Sequence, residues 1–115
     1  MDSSLKSTAL ITGASSGIGA IYADRLANRG HNLILVARNR ERLDSLAARI
    51  TNDTGRSVEV IVADLNNRAD LARVEQVLRT DATITVLVNN AGIAMFGDLA
   101  NADPDRLESM IQLNV

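Results

Sequence analysis

Cysteine is absent from the 115 residues. No disulfide and no thiolate metal site can form, and no metal site is expected. The lack also fits a reducing compartment, and a cytoplasmic location is the expectation. Only two aromatics occur, Tyr22 and Phe96, too few for the stacking platforms of single-strand binders. Charge of one sign is missing as well. The net charge is -2, with no block of like charges, so no nucleic-acid surface is expected. Long apolar runs are lacking: the longest fall far short of the ~20 residues of a membrane span. "MDSSLKSTALITG" carries no apolar core of a secretory signal. There is no internal repeat and no low-complexity linker. What is left is one ordinary globular domain with 46 % hydrophobic residues.

Within that composition the apolar residues change period along the chain. Thr8 to Thr12, "TALIT", is a short β-branched and apolar run that reads as a buried strand. From Ile18 to Arg29 the residues Ile18, Ile21, Tyr22 and Leu26 recur at helical spacing, which places Tyr22 in the core, and Gly30 is a stop. "NLILVA", Asn32 to Ala37, reads as a strand covered on both faces. "RNRERLDSLAARI" reads as a helix with Leu43, Leu46, Ala47 and Ile50 on one face, ended by Gly55. "SVEVIVA" is a third strand, with Asp64 at its end. Leu71, Val74 and Leu78 define a third helix, and "ITVLVNN" a fourth strand. "AGIAMFGDLANA" reads as an irregular loop. Asp103 and Pro104 then start a helix, as N-cap and first helical residue. Alternating strands and helices imply a parallel sheet with helices on both faces.

The densest signal is "TGASSGIG", residues 12 to 19. It lies between the first strand and the first helix, at the sheet edge where such folds bind ligands. A helix N-terminus there offers backbone N–H groups and partial positive charge to a pyrophosphate. Gly13 would make the tight turn. Gly17 would let a phosphate approach the backbone, and Gly19 would let the helix press inward. The spacing is G-x-x-x-G-x-G, which is neither the usual dinucleotide fingerprint nor a Walker loop.

"TGASSGIG", "ADL" at 63–65, "NNAG" at 89–92 and "LNV" at the end follow one another in an order that resembles the short-chain dehydrogenase/reductase family. The resemblance runs along nearly the whole chain. It implies a three-layer, Rossmann-type doubly wound α/β fold with the strands ordered 3-2-1-4. This would be about half of the complete sheet: one NAD(P)-binding domain over 1–115, broken off within the helix that starts near Pro104. It implies that Gly13, Ser15, Gly17, Ile18 and Gly19 cradle the cofactor's adenosine ribose and pyrophosphate. Asp64 would bind the adenine amino group, with Leu65 backing it. Asn90, Ala91 and Gly92 would line the cofactor and brace the sheet. Asn114 would match the asparagine of the family's catalytic tetrad. Family habit also implies a homo-oligomer.

The choice between NADP and NAD turns on the end of the second strand. An acidic residue there grips the ribose 2′-hydroxyl of NAD. Here Ala37 holds that place and Arg38 follows, and a guanidinium can pair with a 2′-phosphate. Arg40 and Arg42 add charge, and the nearest acid, Glu41, falls in the first turn of a helix, where Glu is favoured. Ser16 stands where some NADP-preferring relatives are basic. The expectation is NADP.

The family's hydride transfer between a nicotinamide and a carbonyl or alcohol uses a serine, a tyrosine and a lysine four residues after it. The only tyrosine is Tyr22, with Leu26 four positions on, and the only lysine is Lys6. No Tyr-x-x-x-Lys can form. The expectation is therefore the cofactor-binding half of an NADP(H)-dependent oxidoreductase, inactive by itself. The alternative is a non-catalytic NADP-binding module or truncated fragment.

Overall fold

The computed structural model describes residues 7–14 and 17–89, and the backbone of 94–96. Five strands form one sheet: β1 (Thr8–Thr12), β2 (Asn32–Ala37), β3 (Val58–Val62), β4 (Ile84–Val88) and β5 (Ala94–Phe96). Three helices connect the first four: α1 (Gly17–Asn28), α2 (Arg40–Thr54) and α3 (Arg68–Thr80). The sheet order is β3-β2-β1-β4-β5, with β1 to β4 parallel and β5 antiparallel to β4. The parallel part has the expected 3-2-1-4 order.

Two apolar layers explain why the central strands read as unbroken hydrophobic runs. Ala9 and Ile11 of β1, Leu33 and Leu35 of β2, and Val86 and Val88 of β4 pack under α1 and α2. Leu10, Ile34 and Val36, with Ile84 and Leu87, face the other way, against Leu71, Val74 and Leu78 of α3. Successive side chains on a strand point to opposite faces, so each must be apolar when both faces are covered. Strand β4 breaks the alternation: Ile84 and Leu87, three apart, share a face. The register supplies the reason. Thr8 pairs with Ile84 but Ala9 pairs with Val86, so one residue is skipped at Thr85. An irregularity of that kind shifts all later side chains to the opposite face.

The helix ends are set by local chemistry. Asn39 caps α2 by accepting from the Arg42 N–H at 3.0 Å, and Asn67 caps α3 by accepting from the Asp70 N–H at 3.0 Å. Each such cap stabilises a helix by ~1 kcal/mol. Gly55 ends α2 at φ 72°, with its N–H on the Thr51 carbonyl at 2.9 Å. This is the left-handed residue that lets a chain leave a helix. Helices α1 and α2 are tied across their exposed sides by Arg49. Its guanidinium donates to both oxygens of Asp24, at 3.0 and 3.2 Å.

Two expectations need correction. Helix α1 does not bury Ile18 and Ile21, which are 59 % and 52 % exposed. Its buried residues are Gly19, Ala23, Leu26 and Ala27, and Tyr22 is only partly buried against that layer. Gly19, Ala23 and Ala27 are four apart, so they line one ridge of the helix. Small residues there bring the axis close to the sheet, and the larger isoleucines turn outward. The second correction concerns "AGIAMFGDLANA", read as an irregular loop. Ala94–Phe96 is a strand, with Val86↔Phe96, Leu87↔Met95 and Val88↔Ala94 in register. Strand β4 is consequently not the sheet edge. The segment returns along β4 and takes up its outer backbone groups, which would otherwise template pairing with another chain.

Candidate functional site

The C-terminal ends of β1, β2 and β3 lie side by side, because parallel strands all leave the sheet at one edge. Three sequence-predicted stretches meet there: the glycine turn after β1, Arg38 after β2, and Asp64 after β3.

Gly13 turns the chain out of β1 at φ 64°, a region that side-chain-bearing residues rarely adopt. The next residue, Ala14, is fully buried and donates its N–H to the Val36 carbonyl of β2 at 3.2 Å. The turn is thereby pinned across the strand beside it. Gly19 has no room for a side chain: a Cβ there would lie 2.4 Å from the Gly13 oxygen and 2.8 Å from the Ala14 Cα. Both obstacles are backbone, so the helix meets the turn main chain to main chain. At Gly17 the geometry is the opposite. A Cβ there would have nothing within 4 Å among the described residues. One glycine is thus dictated by packing and the other stands at open space. The N-terminus of α1, the positive end of its dipole, lies at this turn.

Arg38 is exposed and follows Ala37 directly. It precedes the Asn39 cap, so it belongs to neither β2 nor α2. Among the described residues it forms no ion pair, whereas the neighbouring Arg40 stands 3.9 Å from Asp44. An open groove of about 440 Å³ lies between α1 and α2, lined by Ala20, Glu41, Arg42, Ser45 and Leu46.

Asp64 is held on three sides. Its Oδ1 accepts from the Asn66 N–H at 2.9 Å, and its carbonyl accepts from the Asn67 N–H at 2.8 Å. Its own N–H donates to Oδ2 of Asp70 at 2.8 Å. Leu65 is buried in the α3-side layer, so its side chain is committed to the core. Asp70, in turn, takes a second bond from Arg73 at 3.1 Å, and the same Arg73 nitrogen reaches the Val62 carbonyl at 3.0 Å. The backbone N–H of Asp64, and next to it Arg73, hold the Asp70 carboxyl below the usual aspartate range. This bracket of Asp70 and Arg73 escaped the reading of the sequence. Asn-x-x-Asp over 67–70 has a helix-start spacing of the capping-box kind, but that pattern would aim Asp70 at the Asn67 N–H, and only the fold turns it to the Asp64 N–H.

Asn89, at the exit of β4, is 1 % exposed. Ser15, Ser16, Asn90, Ala91, Gly92 and Asn114, all expected at the site, lie outside the described residues. Among the described residues no three His, Cys, Asp or Glu side chains gather as a metal site would require, and no helix is long and apolar enough to cross a membrane.

The arrangement has close counterparts. The profile of the short chain dehydrogenase family matches residues 7–115. An uncharacterized oxidoreductase of Staphylococcus saprophyticus is 35 % identical over 108 residues, which cover 93 % of this chain and 46 % of that protein. The short-chain dehydrogenase from Sphingobium yanoikuyae, solved in complex with NADPH, is 54 % identical with a TM-score of 0.74, over 95 % of this chain and 43 % of that one. The bulky-bulky ketone specific alcohol dehydrogenase from Comamonas testosteroni is 48 % identical with a TM-score of 0.75, over 96 % of this chain and 46 % of that one. The chain thus spans less than half the length of these relatives.

Proposed function

The chain belongs to the short-chain dehydrogenase family, and we propose that it forms the cofactor-binding part of an NADP(H)-dependent oxidoreductase acting on carbonyl or alcohol groups. The single observation that carries the cofactor choice is the end of β2. An exposed arginine without an ion-pair partner among the described residues stands there, after an alanine where NAD enzymes place an acid. The Sphingobium relative binds NADPH, which supports the same reading.

The residues present fit such a cofactor. The Gly13–Gly19 backbone packing brings the first turn of α1 against the sheet edge, and the open space at Gly17 is where a pyrophosphate could approach main-chain N–H groups. Ser15, Ser16 and Ile18 would contact the cofactor beside it, as the family resemblance implies. Arg38 would pair with the 2′-phosphate as a charge-assisted, two-pronged donor. Asp64 would accept from the adenine amino group. Asn90, Ala91 and Gly92 would border the nicotinamide half, and Asn114 would help hold a water in the proton path. When bound, the nicotinamide supplies or takes the hydride; every role assigned to this chain is binding and orientation.

A second reading has its own support. The only tyrosine is Tyr22, in α1 with Leu26 four positions on, and the only lysine is Lys6. The chain therefore contains no Tyr-x-x-x-Lys, and a non-catalytic NADP-binding module is the competing assignment. A serine and a Tyr-x-x-x-Lys further along the reading frame would decide for the enzyme. We further infer a cytoplasmic homo-oligomer, from the lack of cysteine and the habit of the family. The cofactor reading is tested by titrating the complete protein with NADPH, NADH and 2′,5′-ADP. NADPH should bind at least about tenfold tighter than NADH, a gap of ~1.4 kcal/mol, and 2′,5′-ADP should displace it. Equal affinity for the two cofactors would defeat the NADP assignment.

A further inference from the structure

Asp70 lies six residues beyond Asp64, in the first turn of α3, and nothing in the family motif points to it. Its carboxylate bridges two donors. Oδ2 accepts the Asp64 N–H at 2.8 Å, and Oδ1 accepts from Arg73 at 3.1 Å. Arg73 also holds the Val62 carbonyl, the last residue of β3. The bracket therefore spans the strand exit from Val62 to Asp64 and ties it to α3. Within the bracket, Asp64 turns one carboxylate oxygen to the Asn66 N–H. Its other oxygen has no hydrogen-bond partner among the described residues. An acceptor held rigid, with one oxygen engaged and one left over, is suited to a single amino donor at a defined angle.

We propose that Asp70 is a positioning residue that sets the adenine selectivity of this site by fixing the main chain at Asp64. The inference rests on the reading of Asp64 as the adenine contact. Loss of Asp70 releases the Asp64 N–H and unties Arg73. Asp64 then keeps only its bonds to the Asn66 and Asn67 N–H groups, and an acceptor whose direction is less firmly fixed discriminates less well. An asparagine at 70 retains one acceptor oxygen, so it can hold one of the two donors but not both.

The test uses the complete protein and two ligands: NADPH, and its analogue carrying hypoxanthine in place of adenine. In the analogue a carbonyl oxygen replaces the amino group and would face the Asp64 carboxylate. Wild type should bind NADPH about tenfold or more tightly than the analogue, the scale of a hydrogen bond to a charged group. In D70A the ratio should fall toward one, and in D70N to an intermediate value. D64A should lose the discrimination outright, and D64A/D70A should lose no more than D64A. A general loss of stability lowers both apparent affinities by the same folded fraction and leaves the ratio unchanged. If wild type discriminates and D70A discriminates equally, the positioning role is refuted and the cofactor reading survives. If wild type does not discriminate, the adenine role of Asp64 fails and the inference falls with it.

Discussion

Gly17 and Gly19 are two residues apart in one turn, and the structure assigns them opposite burdens. In G19A the new Cβ would lie 2.4 Å from a backbone oxygen and 2.8 Å from a backbone Cα. Neither obstacle is a side chain that can swing aside, so α1 must retreat by roughly half an ångström or more. Overpacking of this kind costs about 1–3 kcal/mol. Replacing glycine by alanine inside a helix contributes up to about 1 kcal/mol in the other direction, and less in the first turn. The clash wins, and G19A should be destabilised by about 1–2 kcal/mol. For a protein of the relatives' size that is a fall in Tm of about 2–8 °C. G17A meets no atom of the described residues within 4 Å, and Gly17 is not among the glycines with positive φ. Its Tm should hold or rise slightly. If the turn cradles a pyrophosphate, however, the methyl group fills the approach, and NADPH affinity should drop about tenfold or more. Thermal unfolding and NADPH fluorescence titration on both variants separate the two effects. A G19A protein as stable as wild type would refute the packing argument. A G17A protein that binds NADPH normally would refute the cradle.

Three further outcomes are expected. R38A should lose about 1.5–3 kcal/mol of NADPH affinity through the missing charge-assisted pair, and the loss should shrink at high salt because Arg38 is exposed; NADH binding should be nearly unchanged, and an equal loss for both cofactors would contradict the assignment. Because the folded structure depresses the Asp70 pKa, its contribution to stability is present at neutral pH and is lost as pH falls below the ordinary aspartate range of about 4; D70N should therefore show a smaller drop in denaturation midpoint on acidification than wild type. The 115-residue chain by itself should show no steady NADPH consumption with any carbonyl substrate, since it lacks the acid/base pair; turnover by rigorously purified chain would overturn this.

Much of the fold was legible locally. Short continuous apolar runs located the four parallel strands and helical-period patterns the three helices, and unbroken strands such as "NLILVA" announced cover on both faces. Gly55 acts within a few residues of itself, so the end of α2 could be read from the chain, while the asparagine caps that start α2 and α3 emerged with the structure. Of the site, Gly13, Gly17, Gly19, Arg38 and Asp64 could be named because their places follow from strand ends. Other features depend on distances that no local pattern contains. Ile18 and Ile21 are apolar and correctly spaced, yet the Gly19–Ala23–Ala27 ridge decides which face of α1 turns inward, because only small residues admit the turn's backbone. The pairing of Ala94–Phe96 with β4 was invisible for the same reason: a three-residue strand has too few residues to show a period, and its partner's free edge selects it. The skipped residue at Thr85 arises only from registering β4 against β1. The Asp70 bracket joins a helix side chain to a strand exit, and it exists because tertiary packing brings α3 back against the end of β3.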